Sequence, residues 1–226
     1  MIIVTGGTSG IGYEITRALR AEGENVITLS RRESAEDKNH ISCDLTDYNS
    51  LKKAYKIISS MKENVYALIN CAGIASMNLA LTTPPEVTKK IINTNLIGTI
   101  FSNQIFSPLI IKANKGGRII NFSTIAVSIG LKGESIYCAS KAGVETFSRV
   151  FANELSAFEI TVNCIAPGPI RTNLLKGVTD KQIKTIVERQ IIKKEMKTEN
   201  VVEIIRLILN KNSTTLTGQV IHIGGF

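Results

Sequence analysis

Ile2-Ile3-Val4-Thr5-Gly6-Gly7-Thr8-Ser9-Gly10-Ile11-Gly12 is the stretch that decides the fold class. Four residues that favour a pleated, buried strand run straight into a turn holding four glycines, and residues 11–22 then carry a helical apolar pattern. A glycine-rich turn between a strand and a helix lets the backbone approach a pyrophosphate. The free amides and positive dipole of the helix start then meet its charge. Standing alone, the same glycines would also be a steric answer to a tight corner.

Outward from this turn, the unit repeats. Short β-rich runs lie at residues 25–30, 40–43, 65–70, 118–123, 161–165 and 219–223, making about seven strands with the first. Helical patterns separate them near 11–22, 49–62, 85–112, 136–157, 180–191 and 199–210. In the fourth of these, Val144, Phe147, Phe151 and Leu155 draw one apolar stripe at steps of three and four. Strands that alternate with helices need crossover connections, and crossovers give a parallel sheet covered on both faces. The expected architecture is α/β, a doubly wound Rossmann fold.

Helix starts agree with this reading. Thr83-Pro84-Pro85-Glu86 offers a capping box with Pro at the first helical position, and Thr179 with Gln182 offers a second box. No linker, internal repeat or low-complexity tract interrupts residues 1–226, which are read as one domain. In such sheets ligands lie beyond the carboxyl ends of the strands, so the residues just after each strand carry the functional reading.

Composition narrows the classes. The chain has 226 residues, 43% hydrophobic, enough for one substantial core, and a formal charge of +8, which favours an anionic partner. The basic residues occur as scattered pairs, Arg31-Arg32, Lys52-Lys53, Lys89-Lys90 and Lys193-Lys194, with no contiguous stripe, and there is no Trp. Nucleic acid is therefore not an expected partner. Cys43, Cys71, Cys138 and Cys164 lie far apart with no CxxC spacing, and only two histidines are present, so neither a disulfide framework nor a metal site is expected. No basic leader precedes Ile2, and no apolar run approaches bilayer-spanning length. No membrane association is expected, and the cytoplasm is the expected location.

Six motifs follow one another along the chain. Thr5-Gly6-Gly7-Thr8-Ser9-Gly10-Ile11-Gly12 has TGxxxGxG spacing; Asp44 follows the third strand; Asn70-Cys71-Ala72-Gly73 follows the fourth. Asn95 lies in the next helix, then come Tyr137-Cys138-Ala139-Ser140-Lys141 and Pro167-Gly168-Pro169-Ile170-Arg171-Thr172. In these residues and their order the chain resembles the short-chain dehydrogenase/reductase family, from residue 2 to the C-terminus.

The resemblance implies an oxidoreductase that moves a hydride between a nicotinamide dinucleotide and a carbonyl or alcohol. Tyr137 and Lys141 are four apart and so share a helix face. An ammonium near a phenol favours the phenolate and lowers its pKa from about 10 toward neutrality, so Tyr137 can exchange a proton with the substrate oxygen. By resemblance, Lys141 also binds the nicotinamide ribose, and Asn95 positions a water that connects Lys141 to solvent. The family places a Ser thirteen positions before the Tyr; here that position is Thr124, with Ser123 next to it. Thr124 keeps the hydroxyl, and Ser123 takes the role if the intervening loop differs in length.

The same resemblance implies a cofactor site made by Gly6, Thr8, Ser9, Gly10, Ile11 and Gly12 at the phosphates. Asp44 and Leu45 fall at the adenine, and Asn70, Ala72 and Gly73 flank the adenosine ribose and support the central strands. Pro167, Gly168, Ile170 and Thr172 stand by the nicotinamide. Phosphate preference is read in Leu29-Ser30-Arg31-Arg32: Ser30 stands where NAD-preferring members carry an acid, and Arg31 and Arg32 offer charge for a 2'-phosphate. NADP(H) is therefore expected over NAD(H).

For the substrate, Leu216 to Phe226 resembles the ending of 3-oxoacyl-acyl-carrier-protein reductases, but Ile223-Gly224-Gly225 lacks the Asp of the usual Val-Asp-Gly-Gly. Lys115 and Lys176 correspond to that group's basic docking positions for the acidic carrier, or are ordinary surface lysines. The alternatives are a reductase or dehydrogenase of another small carbonyl, sugar or alcohol, and, more distantly, a dinucleotide-sensing binding protein without turnover. The resemblance also implies a homodimer or homotetramer, assembled through the helices near 85–112 and 136–157.

Overall fold

The computed structural model describes residues 1–33, 37–175 and 177–226; Lys176, one of the two docking lysines expected above, lies outside them. Its strands are β1 (Ile2–Thr5), β2 (Val26–Ser30), β3 (His40–Ser42), β4 (Ala67–Asn70), β5 (Gly117–Phe122), β6 (Ile160–Pro167) and β7 (Val220–Ile223). They form one sheet in the order β3-β2-β1-β4-β5-β6-β7, and every neighbouring pair is parallel. The expected doubly wound α/β fold and its seven strands are what the chain adopts.

Alternation along β1 explains the two layers. Ile3 points to one face with Ile27, Leu68, Ile119 and Val162, whereas Ile2 and Val4 point to the other with Val26, Ile69, Ile120 and Ile165. The first face is covered by α2 (Tyr48–Ser60) through Leu51, Ala54 and Ile58, and by α4 (Gly98–Ala113) through Phe106 and Ile110. The second is covered by α1 (Gly10–Ala21) through Ile15 and Leu19, and by α8 (Thr198–Leu209) through Val201, Ile205 and Ile208. Strands buried on both faces read as apolar runs, which is why Ile2–Val4 and Ala67–Ile69 carry no polar residue.

The remaining helices are α3 (Pro85–Ile92), α5 (Ile125–Ile129), α6 (Ser135–Glu154) and α7 (Asp180–Arg189). A π-helical turn at Asn93–Ile97 joins α3 to α4, so residues 85–113 run as one 29-residue helical segment. That segment is long and apolar enough to cross a bilayer, contrary to the expectation that no run comes near this length. Here it is a core helix: Asn95, Asn103 and Phe106 have no exposed surface, and α2, β4 and α6 lie against it.

Two helix starts were expected to carry capping boxes. Thr179 accepts from Gln182 N while Gln182 Oε1 accepts from Thr179 N, so the α7 box is formed. The α3 box is not. Pro84 is the N-cap, and Thr83, one residue too early, donates its hydroxyl to the Leu79 carbonyl. Pro85 does occupy the first helical turn as expected.

Candidate active site

A cavity of about 440 Å³ opens along the carboxyl ends of the strands, where β1 and β4 lead their helices to opposite faces of the sheet. All expected site residues except Asn70 and Asn95 line it.

Its floor is the turn after β1. Gly6 has φ +70°, and a Cβ on Gly12 would stand 2.4 Å from the Gly6 carbonyl oxygen, so the turn closes this tightly only with glycine at both ends. The N-cap residue of α1, Ser9, makes no side-chain cap, so no hydroxyl competes for the amides at the helix start. Open amides at a glycine turn facing a cavity suit a pyrophosphate.

At the end of β2, Thr8 donates its hydroxyl to Ser30 Oγ at 3.0 Å, and Arg31 and Arg32 stand exposed at the rim. Asp44 accepts hydrogen bonds from the Thr46 amide and hydroxyl at 2.9 and 2.8 Å, which fixes the turn after β3 with Leu45 buried beside it. Ala72 and Gly73 form the wall after β4, and Pro167, Gly168, Ile170 and Thr172 the wall after β6.

Asn70 departs from expectation. It is 2% exposed, donates to Asn121 Oδ1 at 2.8 Å and accepts from Ser102 Oγ at 2.7 Å. As the last residue of β4 it turns its side chain into the core, because alternation puts that side chain opposite the cavity. Its side chain supports the central strands, as expected, and does not line the cavity.

Asn95 sits in the π turn, whose extra residue per turn rotates it out of the regular helix register. Its side-chain oxygen accepts from Ile74 N at 2.8 Å, and its amide donates to the Ile74 carbonyl at 2.9 Å and to Ser140 Oγ at 3.1 Å. It thus ties the loop after β4 to α6 from behind the cavity wall. A Cβ on Gly73 would lie 3.4 Å from both Asn95 Oδ1 and Lys141 Nζ, so these groups converge there.

Tyr137 and Lys141 lie in the first two turns of α6, both buried and both on the cavity wall. Lys141 Nζ donates to the Phe122 carbonyl at the end of β5 at 2.7 Å. Burial pushes its pKa down to about 8. Burial also pushes the Tyr137 phenol up, Glu134 adds to that, and the Thr124 hydroxyl offsets part of it. The expected lowering of the phenol by Lys141 is therefore not the state of this structure: desolvation dominates the phenol, and the Lys141 ammonium donates to Phe122 O.

The two candidate hydroxyls are separated by geometry. Ser123 is 3% exposed and donates to Glu145 Oε1. Thr124 is the N-cap of α5; its oxygen accepts from Ala126 N at 3.2 Å, and its side chain is close enough to ease the Tyr137 phenol.

Some of the wall was invisible to motif reading. Leu174, Leu175 and Ile186 come from the segment around α7, and Glu134 from the turn before Tyr137. Glu134 lies three residues before Tyr137, a helical step that could have flagged it. Lys115 falls at the wrong end for carrier docking: it precedes Gly117, at the amino end of β5, a strand-length of roughly 20 Å from the cavity.

A family model described as enoyl-(acyl carrier protein) reductase matches residues 6–226. The chain is 30% identical over 227 residues to the 3-oxoacyl-[acyl-carrier-protein] reductase MabA of Mycobacterium tuberculosis, covering 99% of this chain and 91% of that protein. It is 31% identical over 197 residues to carbonyl reductase family member 4 of Danio rerio, 82% of each chain. Among solved structures, the ligand-free aldohexose dehydrogenase of Thermoplasma acidophilum superposes with a TM-score of 0.89 at 26% identity, over 99% of this chain and 92% of that one. With a matching model over nearly all its length and the strand-end motifs gathered round one cavity, the chain belongs to the short-chain dehydrogenase/reductase family of NAD(P)-dependent oxidoreductases.

Proposed function

We propose that this protein is an NADP(H)-dependent reductase that converts a carbonyl to an alcohol, with a 3-oxoacyl chain on acyl carrier protein as the favoured substrate. The observation that carries the reading is that Thr124, Tyr137 and Lys141 share one cavity wall with the glycine turn. A bound nicotinamide supplies hydride to the carbonyl carbon. The glycine turn and α1 hold the pyrophosphate, Arg31 with Ser30 and Arg32 the 2'-phosphate, and the segment Pro167 to Thr172 the nicotinamide end.

Thr124 donates its hydroxyl proton to the substrate oxygen and orients it. Tyr137 keeps its proton at neutral pH because burial raises its pKa, which suits a donor in the resting site. As negative charge develops on the substrate oxygen, Tyr137 gives up that proton, and Lys141 stabilises the resulting phenolate across one helical turn. Asn95 keeps the loop after β4 and the catalytic helix in register through Ile74 and Ser140.

The relatives named for 3-oxoacyl reduction support the acyl substrate, and they match over 99% of this chain. A second reading, reduction of another small carbonyl or sugar, is favoured by the likeness to a carbonyl reductase and an aldohexose dehydrogenase. A silent dinucleotide sensor would have no use for Thr124, Tyr137 and Lys141 together. Carrier docking no longer rests on Lys115; exposed Lys132, beside the wall residue Leu131, is the better-placed base. We also propose a homodimer or homotetramer built on α4 and α6, where Val150 is 54% exposed.

The test follows nicotinamide absorbance with NADPH and, in turn, a 3-oxoacyl thioester, an aldohexose and a simple ketone. Oxidation of NADPH with the thioester at the highest kcat/KM supports the proposal. Turnover of the sugar or ketone alone selects the second reading, and tight NADPH binding with no turnover selects the sensor.

A further inference from the structure

Gln190 follows the last residue of α7 and has no exposed surface. Its Nε2 donates to the Ile192 and Lys194 carbonyls at 3.1 and 3.2 Å, which fixes the amide and aims Oε1 the other way. Among the described residues Oε1 has no hydrogen-bond partner, a costly state for a buried acceptor. It is pressed instead against Gly168, where a Cβ would overlap it. Gln190 does not line the cavity, and nothing in the mechanism above uses it.

The place of Gly168 gives this contact its meaning. In Pro167-Gly168-Pro169 the two rings lock their own φ, so Gly168 is the one free joint of the segment. That joint lies on the cavity wall, just beyond the carboxyl end of β6. It has no side chain to hold it, and the Gln190 amide fills the space where one would stand. On its other side the amide meets the turn after β7: Gly224 has φ +94°, and a Cβ there would stand 2.8 Å from Gln190 Nε2. Ile191 N and Ile192 N donate to the Gly225 and Gly224 carbonyls at 3.3 and 2.9 Å, which ties that turn to the segment after α7. The Ile223-Gly224-Gly225 ending, with no Asp before its glycines, closes directly on Gln190.

We propose that Gln190 is a positioning residue that immobilises the Gly168 joint, and with it the nicotinamide end of the cofactor, by bracing the loop after β6 against the turn after β7. This role rests on the reading of Pro167 to Thr172 as the nicotinamide end and adds to it a residue from behind the wall. Without the amide, Gly168 samples several backbone states. Closing the loop on the nicotinamide then costs the backbone entropy of about one residue, worth about tenfold in affinity. The phosphate contacts at the glycine turn and at Arg31 do not depend on this joint.

Dissociation constants for NADPH and for 2'-phospho-ADP-ribose, which is NADPH without its nicotinamide, are measured for wild type, Gln190→Ala, Gly168→Ala and the double variant. The fluorescence anisotropy of bound NADPH reads nicotinamide motion. Gln190→Ala is expected to weaken NADPH by about tenfold and lower the anisotropy, while 2'-phospho-ADP-ribose binds within about twofold of wild type. Gly168→Ala, whose Cβ displaces Oε1, is expected to do the same. In the double variant the new methyl group enters the space that the amide leaves, so the losses do not multiply and NADPH affinity stays within about threefold of Gln190→Ala.

Equal weakening of both ligands in Gln190→Ala marks a structural role and overturns the inference, as does wild-type NADPH affinity and anisotropy in that variant. Where Gln190→Ala does not fold, Gly168→Ala decides: unchanged NADPH binding, or both ligands weakened alike, overturns it. Losses that multiply in the double variant show that the two residues act apart and overturn it as well. Wild-type protein that binds 2'-phospho-ADP-ribose as tightly as NADPH, with the bound nicotinamide as mobile as in free NADPH, overturns the nicotinamide reading of the loop itself, and the inference with it.

Discussion

At Thr124 the hydroxyl oxygen accepts from Ala126 N, which leaves the hydroxyl proton to be directed into the cavity, whereas the Ser123 proton already goes to Glu145. Thr124→Val keeps the branched shape and deletes only that donor, so turnover is expected to fall by roughly a hundredfold, as on loss of one oxyanion donor. Ser123→Ala should stay within about threefold of wild type. Steady-state kinetics on one accepted carbonyl compares them, and a crippled Ser123→Ala beside an active Thr124→Val would reverse the assignment. Lys141 makes a second claim at this scale. Its folded pKa of about 8 lies below the free value of 10.5, so between those values the unfolded chain holds a proton that the folded chain lacks. Stability therefore rises with pH through that window, and the burial penalty, at most about 3 kcal/mol, is fully present below pH 8. Lys141→Met removes the penalty but also the bond to Phe122 O, so urea unfolding at pH 7 is expected to find the variant more stable by about 1 kcal/mol. That gain should shrink toward pH 10; a Met variant less stable than wild type at pH 7 would show that the Phe122 bond outweighs the burial.

Elements were legible where a period or a cap is local, and obscure where burial decides. All seven strands fall within two or three residues of the runs read from β-rich composition, and the Thr179 box formed because Thr and Gln stand at the spacing the motif needs. The five residues of α5 are too few to show a helical period, and the π turn at Asn93–Ile97 has no signature in composition. Asn70 shows the difference in kind. Its place after β4 pointed to the cofactor, yet a one-residue alternation turned it into a buried network with Asn121, Ser102, Asn103 and Ser148 that joins β4 and β5 to α4 and α6. Asn70→Ala leaves Ser102 and Asn121 short of a partner, so it is expected to cost about 1–3 kcal/mol of stability while NADPH affinity stays unchanged. Denaturant midpoints and fluorescence titration read the two separately, and weakened NADPH binding at unchanged stability would return Asn70 to the cofactor site.

Across the whole molecule, the cavity crosses the sheet where β1 and β4 part and is lined by residues from the ends of β1 to β6, so a dinucleotide held there as proposed would bridge the two halves of the fold. This much was legible because strand-end residues are contiguous with the strands that carry them. The substrate wall was not, since Ile186 and Leu175 reach it from a segment with no motif, through packing alone. Coupling gives a global readout of cofactor choice. A ligand that binds only the folded chain stabilises it by about 2.7 kcal/mol when present at a hundred times its Kd, so ligands of different affinity give different melting shifts at one concentration. Ser30, Arg31 and Arg32 line the rim with no carboxylate at the Ser30 position, and the chain carries a net +8. NADPH is therefore expected to raise Tm more than equimolar NADH, and the excess should shrink as salt screens the exposed arginines. Arg31→Ala should weaken NADPH by about tenfold, close to the worth of one charge-assisted bond, while the NADH shift holds. Ser30→Asp should carry the preference toward NADH by repelling the 2'-phosphate. Equal shifts for the two cofactors in wild-type protein would place Arg31 and Arg32 on the solvated surface and remove the phosphate reading of this strand end.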